Sequence, residues 1–168
     1  MRFFDFGTHH LDGESWKRGD QILVEIPNLA AEWKVIHQFQ TRSYQIGDST
    51  FPFGLCVRLD ARDYSTSYGL AFPNEGLQLW NEEEKVGEFA HLPPAGVWTR
   101  IDMTYEKVED NYFISVSVAE VEVIRHKVEL DPEYGGFPAG TLFDATIGFG
   151  SDEDQLPASI GNIIVLEK

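Results

Sequence analysis

A chain of 168 residues, 42% hydrophobic and 24% charged, is sized for one globular domain, residues 1–168, that hides roughly 70% of the surface its unfolded form exposes. Thirteen Lys and Arg against 28 Asp and Glu leave a net charge of −15, a field that repels phosphate backbones, anionic lipid and polyanionic sugars; nucleic acid is excluded as a partner, and neutral glycans or proteins are expected. One cysteine, Cys56, excludes an internal disulfide, and no apolar run reaches signal-sequence or membrane-spanning length, so the chain is expected not to insert in a membrane and to be cytoplasmic, or extracellular or periplasmic if a leader was removed.

Apolar and polar residues alternate with a period of two from end to end, and no long window carries a helical stripe, so strands are expected throughout. In chain order they are Arg2–Gly7, Gln21–Ile26, Glu32–Tyr44, Phe51–Asp60, Ser67–Phe72, Leu77–Asn81, Val97–Glu106, Tyr112–Val118, Val121–Leu130, Ala145–Gly150 and Gly161–Glu167. Turn residues separate them, among them Pro73-Asn-Glu-Gly76, Pro93-Pro-Ala-Gly96 and Glu109-Asp-Asn111. A helical turn is expected only at Pro27–Ala31 or Pro132–Tyr134. Alternation turns Phe53, Leu55 and Val57 inward, leaving Cys56, Arg58 and Asp60 on the other face. It likewise turns Ile101, Met103 and Tyr105 inward and Arg100, Asp102 and Thr104 to water. The expected core adds Leu70, Phe72, Leu77, Leu79, Trp98, Ile114, Val116, Ile147 and Ile164, with Cys56 buried and unpaired.

Five further segments carry a resemblance: Tyr68-Gly-Leu-Ala-Phe72 with Leu77-Gln-Leu-Trp80, Gly96-Val-Trp-Thr-Arg-Ile-Asp-Met-Thr-Tyr105, Ile114-Ser-Val-Ser-Val118, Ala145-Thr-Ile-Gly-Phe149 and Ile160-Gly-Asn-Ile-Ile-Val165. Together they resemble the concanavalin A-like lectin/glucanase superfamily, especially its laminin G-type branch. The resemblance implies an all-β, two-sheet antiparallel jelly-roll sandwich. Strand 2–7 should lie beside 161–167, since end strands left unpaired expose an edge. Where the family shows an Asn/Asp-Gly turn between Val118 and Val121, this chain has Ala119-Glu120. Function stays open, because the superfamily includes lectins, glycan-binding modules, glycosidases, polysaccharide lyases and adhesion domains.

Retaining glucanases of this fold alternate two glutamates and an aspartate along one strand; Glu120-Val-Glu122 is the nearest approach and lacks the third carboxylate. Some lyases of the fold carry Gln-Ile/Val-His, which Trp33-Lys-Val-Ile-His-Gln-Phe39 resembles with Val35 in place of Gln. His37, with Tyr44, is the resulting catalytic candidate. Its shared parity with Val35 and Phe39 reads first as a strand histidine packed between apolar neighbours, and the catalytic role is the minority reading. No cofactor is expected, since acidic clusters are usually just solvated; calcium is the one candidate ion, through Asp152 and Asp154 or through Asp60 and Asp63, and His9-His10 are adventitious metal ligands at most.

A face gives the stronger constellation. A four-residue loop at Pro73–Gly76 pairs Leu70 with Leu79 inward and sets Trp80 opposite Gly69 on the other side. With Gln78, Arg58 and Asp60 that is an aromatic platform flanked by planar polar groups, suited to the C–H face and hydroxyls of a sugar. The same ring could simply cover a strand glycine. Trp16 is a second exposed aromatic, whereas Trp98 reads as packing. The expected function is non-catalytic carbohydrate binding on a concave sheet face. The alternatives are a lyase or hydrolase using His37, and a protein–protein adhesion domain.

Overall fold

The computed structural model describes residues 3–5, 9–11, 21–30, 32–41, 54–61, 64–71, 76–81, 84–91, 97–129, 142–150 and 158–168. Their regular structure is entirely strand: β1 (Phe3–Asp5), β2 (His9–Leu11), β3 (Gln21–Ala30), β4 (Trp33–Thr41), β5 (Gly54–Ala61), β6 (Tyr64–Ala71), β7 (Leu77–Asn81), β8 (Glu84–Phe89), β9 (Thr99–Val108), β10 (Asn111–Val118), β11 (Val121–Val128), β12 (Leu142–Gly150) and β13 (Ala158–Glu167). They form two antiparallel sheets. The seven-stranded sheet runs β1-β13-β4-β9-β10-β11, with β2 also on β13, and the six-stranded sheet runs β3-β12-β5-β6-β7-β8. This is a jelly-roll sandwich. β1 and β2 share one edge of β13, with Phe3 opposite Leu166 and His9 opposite Ile160, so the ends of the chain close each other's exposed edge as expected.

Alternation builds the core. Ile101, Met103 and Tyr105 of β9 and Ile114 and Val116 of β10 are buried, facing Val57, Leu70, Leu77 and Leu79 from the other sheet. Trp33 stacks on Tyr105 with ring centroids 5.7 Å apart, and Tyr105 stacks on Tyr112 at 5.5 Å, an aromatic file across three neighbouring strands. Phe53 and Phe72, and the side chains of Leu55, Cys56 and Ile147, lie outside the described residues.

Three expectations fail for identifiable reasons. Ile164 is only half-buried, and Ile163 and Val165 take the core positions. Between the pairs Gly161–Gln38 and Ile164–Ile36, β13 carries one residue more than β4, a bulge that moves the inward set by one. Trp98 is 41% exposed rather than packed. It precedes β9 on the parity of Arg100, so the alternation that buries Ile101 turns it outward. Pro27–Ala30 are strand, not a helical turn: Pro27 and Asn28 together face Asp144, and Asn28 adopts φ 54°. A proline and a bulge blunt the outer edge of β3, where an unpaired ladder would otherwise invite association. Pro132–Tyr134 lie outside the described residues. Sequence patterning also missed β2, only three residues long, and β8, whose Glu-Lys-Val-Gly-Glu-Phe is too polar for a clear alternation.

The sandwich closes along one side where β8 and β11, the outer strands of the two sheets, meet. A Cβ on Gly87 would collide with the Ile124 side chain, so glycine permits this approach. Gly87→Ala should cost about 1–3 kcal/mol in urea unfolding. Combined with Ile124→Ala it should cost less than the sum of the two single changes by about 1 kcal/mol or more; strict additivity would show that the contact does not limit the packing.

The β10–β11 hairpin joins Val118 to Val121 through two residues that both sit in the left-handed region, Ala119 at φ 49° and Glu120 at φ 67°. That is the two-residue turn whose twist matches the strands, made here without the usual Asn-Gly. Ala119→Asn keeps Glu120 and suits the conformation, and should raise the melting temperature by a few degrees, corresponding to about 0.5–1 kcal/mol. An unchanged or lower value would indicate that the turn carries no strain.

Candidate functional site

On the outer face of the six-stranded sheet, β6 and β7 pair Leu70 with Leu79 and Gly69 with Trp80. Leu79 is fully buried, which turns Trp80 to the other side, half-buried, with Nε1–H donating to Gln78 Oε1 at 3.1 Å. That bond fixes the ring plane relative to the sheet. Gly69 has no side chain yet is buried, as expected of a glycine with a ring over it. The row continues across the sheet as Gly148, Cys56, Gly69, Trp80 and Lys85.

Arg58 pairs with Ser67, on the adjacent row and across β6 from Trp80; its Cα is therefore roughly 12 Å from that of Trp80. Asp60 is two residues further along, roughly 16 Å away, and is not brought to the ring by register.

The outer face of the seven-stranded sheet holds a charged cluster that patterning placed in water. Asp102 is only 2% exposed, because Arg100 grips it with Nε–Oδ1 at 2.8 Å and Nη2–Oδ2 at 2.9 Å while Lys34 Nζ reaches Oδ2 at 2.9 Å. Arg100 Nη1 also bonds Glu120 Oε1 at 2.8 Å. A short-range alternation sees a polar side chain facing outward; it does not see the longer side chains that fold over it. Trp98 stands before this cluster, and its exposure is visible in the sequence once the parity of Ile101, Met103 and Tyr105 is extended backward.

A cavity of about 290 Å³ opens at the other end of this sheet, around Glu32, Lys34, Thr104, Glu106, Leu166 and Lys168. Its charges are spent internally. Glu32 Oε1 accepts from the Lys107 amide at 3.1 Å and lies 3.3 Å from Lys168 Nζ, and Glu106 pairs with Arg125 at 3.4 Å.

His37 is 1% exposed and lies between the sheets beside Val35, paired across β9 with Ile101. Burial, which outweighs the Asp102 charge and the Ile101 backbone, pushes its imidazole down from 6.5 to about 4. Tyr44, Trp16, Asp63, Asp152 and Asp154 lie outside the described residues. Glu120 and Glu122 are both exposed, with Glu122 paired to Arg125 at 3.0 Å. Among the described residues no group of three or more His, Cys, Asp or Glu side chains is placed to hold a metal ion, and no helix is long and apolar enough to cross a membrane.

At the level of sequence, neither a family model nor a curated protein matches the chain. Solved structures do. The metal-free lectin I-B4 of Griffonia simplicifolia superposes with a TM-score of 0.54 at 8% identity, covering 99% of this chain and 92% of the lectin. The exoplasmic/lumenal domain of VIP36, in its calcium- and Man3GlcNAc-bound form, gives 0.54 at 7% identity over 99% of this chain and 83% of that domain. A Trypanosoma rangeli sialidase gives 0.51 at 10% identity over 80% of this chain but 20% of the enzyme. Identities this low speak to fold alone. The chain has the concanavalin A-like jelly-roll fold that its sequence resembles.

His37 supplies a pH test. Its folded value lies below the unfolded one, so the unfolded chain binds the extra proton between these values; stability is complete above about pH 6.5 and declines as pH falls towards 4, by on the order of 3 kcal/mol. Urea unfolding of wild type and His37→Gln from pH 7.5 to 4.5 should show a steeper loss in the wild type. Equal slopes would place the imidazole in contact with solvent.

Proposed function

We propose that this chain is a non-catalytic, lectin-like carbohydrate-binding domain that stacks a neutral sugar on Trp80. The observation that carries this reading is the Gly69–Trp80 register, which presents an indole on the outer face of a sheet with its N–H already held by Gln78. An oriented ring at that position offers a sugar's C–H face an apolar surface without further ordering, with Gln78 beside it and Arg58 further across the same face as planar polar groups for its hydroxyls. Asp60 joins the site only through ligand-bridged contacts. The mannose-containing glycan named for the VIP36 domain, and the lectin from Griffonia simplicifolia, support carbohydrate as the ligand class on this fold. The net charge of −15 favours neutral over acidic sugars.

Binding is favoured over catalysis because His37 lies between the sheets, out of reach of a polysaccharide, and the exposed Glu120 and Glu122 lack a third carboxylate partner. VIP36 has been solved with calcium, and Asp152 and Asp154 are the carboxylates here that would supply hard oxygen ligands; sensitivity of binding to EDTA reports on that part of the proposal.

A broad array of neutral glycans, followed by titration calorimetry on the best ligand, tests the function. Trp80→Ala should weaken binding about tenfold, as expected for loss of one stacked ring worth about 1–2 kcal/mol, and Gln78→Ala less. An array without hits, or an affinity indifferent to Trp80→Ala, would sink the proposal.

A further inference from the structure

We propose a second saccharide position on the opposite sheet, formed by Trp98, Arg100 and Glu120, that takes a neutral sugar with vicinal hydroxyls. It shares its ligand class with the Trp80 reading but stands on different residues of a different face, so either can fail alone. Trp98 is 41% exposed, whereas Trp33 is 2% exposed and fills the core, and flanking Val97 is 48% exposed. An indole this exposed, just ahead of β9, contributes little to the sandwich. The ring is available for the C–H face of a ligand.

The polar half of the position is already ordered. Arg100, in β9, is two residues along from Trp98, which immediately precedes the strand, so their Cα atoms are at most roughly 7 Å apart. Nε and Nη2 are fixed to the buried Asp102, and Nη1 to Glu120. These three bonds leave one N–H on each terminal nitrogen as a donor. Glu120 accepts from Arg100 through Oε1 while its side chain is 72% exposed, leaving Oε2 as an acceptor in water.

A charged donor and a charged acceptor side by side suit a pair of neighbouring hydroxyls, one accepting and one donating. The left-handed Ala119-Glu120 turn, tied back by Ala119 N–H to the Arg100 carbonyl at 2.9 Å, holds Glu120 at that position. Two carboxylates beside the guanidinium repel a sugar acid. The pattern therefore selects a neutral ring.

The test is a ¹⁵N–¹H titration of the full chain with methyl glycosides of mannose, galactose, glucose and N-acetylglucosamine. At least one of these sugars should give saturable shifts of the Trp98 indole N–H and of the Arg100, Ala119 and Glu120 amides. Trp98→Ala should weaken the Arg100 and Glu120 response about tenfold or more while leaving any response of the Trp80 indole unchanged, and Glu120→Gln should weaken it several-fold. Because the ring is exposed, Trp98→Ala should melt within about two degrees of wild type. Shifts confined to Trp80 would overturn this position while supporting the other; shifts confined to Trp98 and Arg100 would do the reverse. No saturable shift at either face overturns both. Shifts at Val97 and Trp98 that follow protein concentration without sugar would assign the patch to self-association and overturn the proposal.

Discussion

The side-to-side alternation of β9 is the constraint on which both faces of the molecule depend. This strand lies between β4 and β10 in the seven-stranded sheet. Its inward set of Ile101, Met103 and Tyr105 is fully buried, so a slip of one residue would drive Arg100 and Asp102 between the sheets. An arginine and an aspartate there would have to be desolvated against leucines and valines, a cost of several kcal/mol per ion. Register is therefore held firmly, and it dictates the outer face as strictly as the inner one. The Asp102 cluster and Trp98 follow from the same parity that makes the core.

The outer faces show how a sandwich manages polar groups without leaving them to water. Asp102 is buried although it points away from the core, because Arg100 and Lys34 fold over its carboxylate, and Arg125 lies across the Phe113 ring at 4.6 Å to its centroid. Each arginine side chain stays about one-third exposed, 35% for Arg100 and 37% for Arg125. The outer face is a second, thinner layer of packing made of charge pairs. Isolated pairs of this kind contribute little each, but Asp102 has its charge matched from two sides in a nearly dry position.

Much of the fold was legible in the sequence, because it rests on short-range alternation. The Leu77–Asn81 strand and the Gly69–Trp80 register follow from period two and turn length, and the pairing of Phe3–Asp5 with the last strand follows from the need to cover a bare edge. The failures have a common cause. Extra residues in β13 and β3 shift parity without leaving a trace in composition, which misplaced Ile164 and made Pro27–Ala31 look like a turn. Trp98 is exposed because its position follows from its own neighbours, and not from the Gly-x-Trp pattern it shares with the resembled fold. That Trp80 and Gln78 share an outer face was legible through the hairpin; the distances to Arg58 and Asp60 were not, since they depend on how strands distant in sequence align across β6.

The pairing of Phe3 with Leu166 has a consequence for how the molecule is made. β13 lies between β4 and the β1–β2 pair, so the seven-stranded sheet lacks an inner member until the last strand has been synthesised. During translation the hairpins from β5 to β8 and from β9 to β11 can form from neighbours in sequence. β4 must wait with a bare edge, carrying Trp33 and Val35 on one side. Contacts that span nearly the whole chain place this fold among the slow ones. The ribosome-bound chain is consequently the form most exposed to strand-to-strand association, and the high negative charge that it carries keeps such chains apart during that interval.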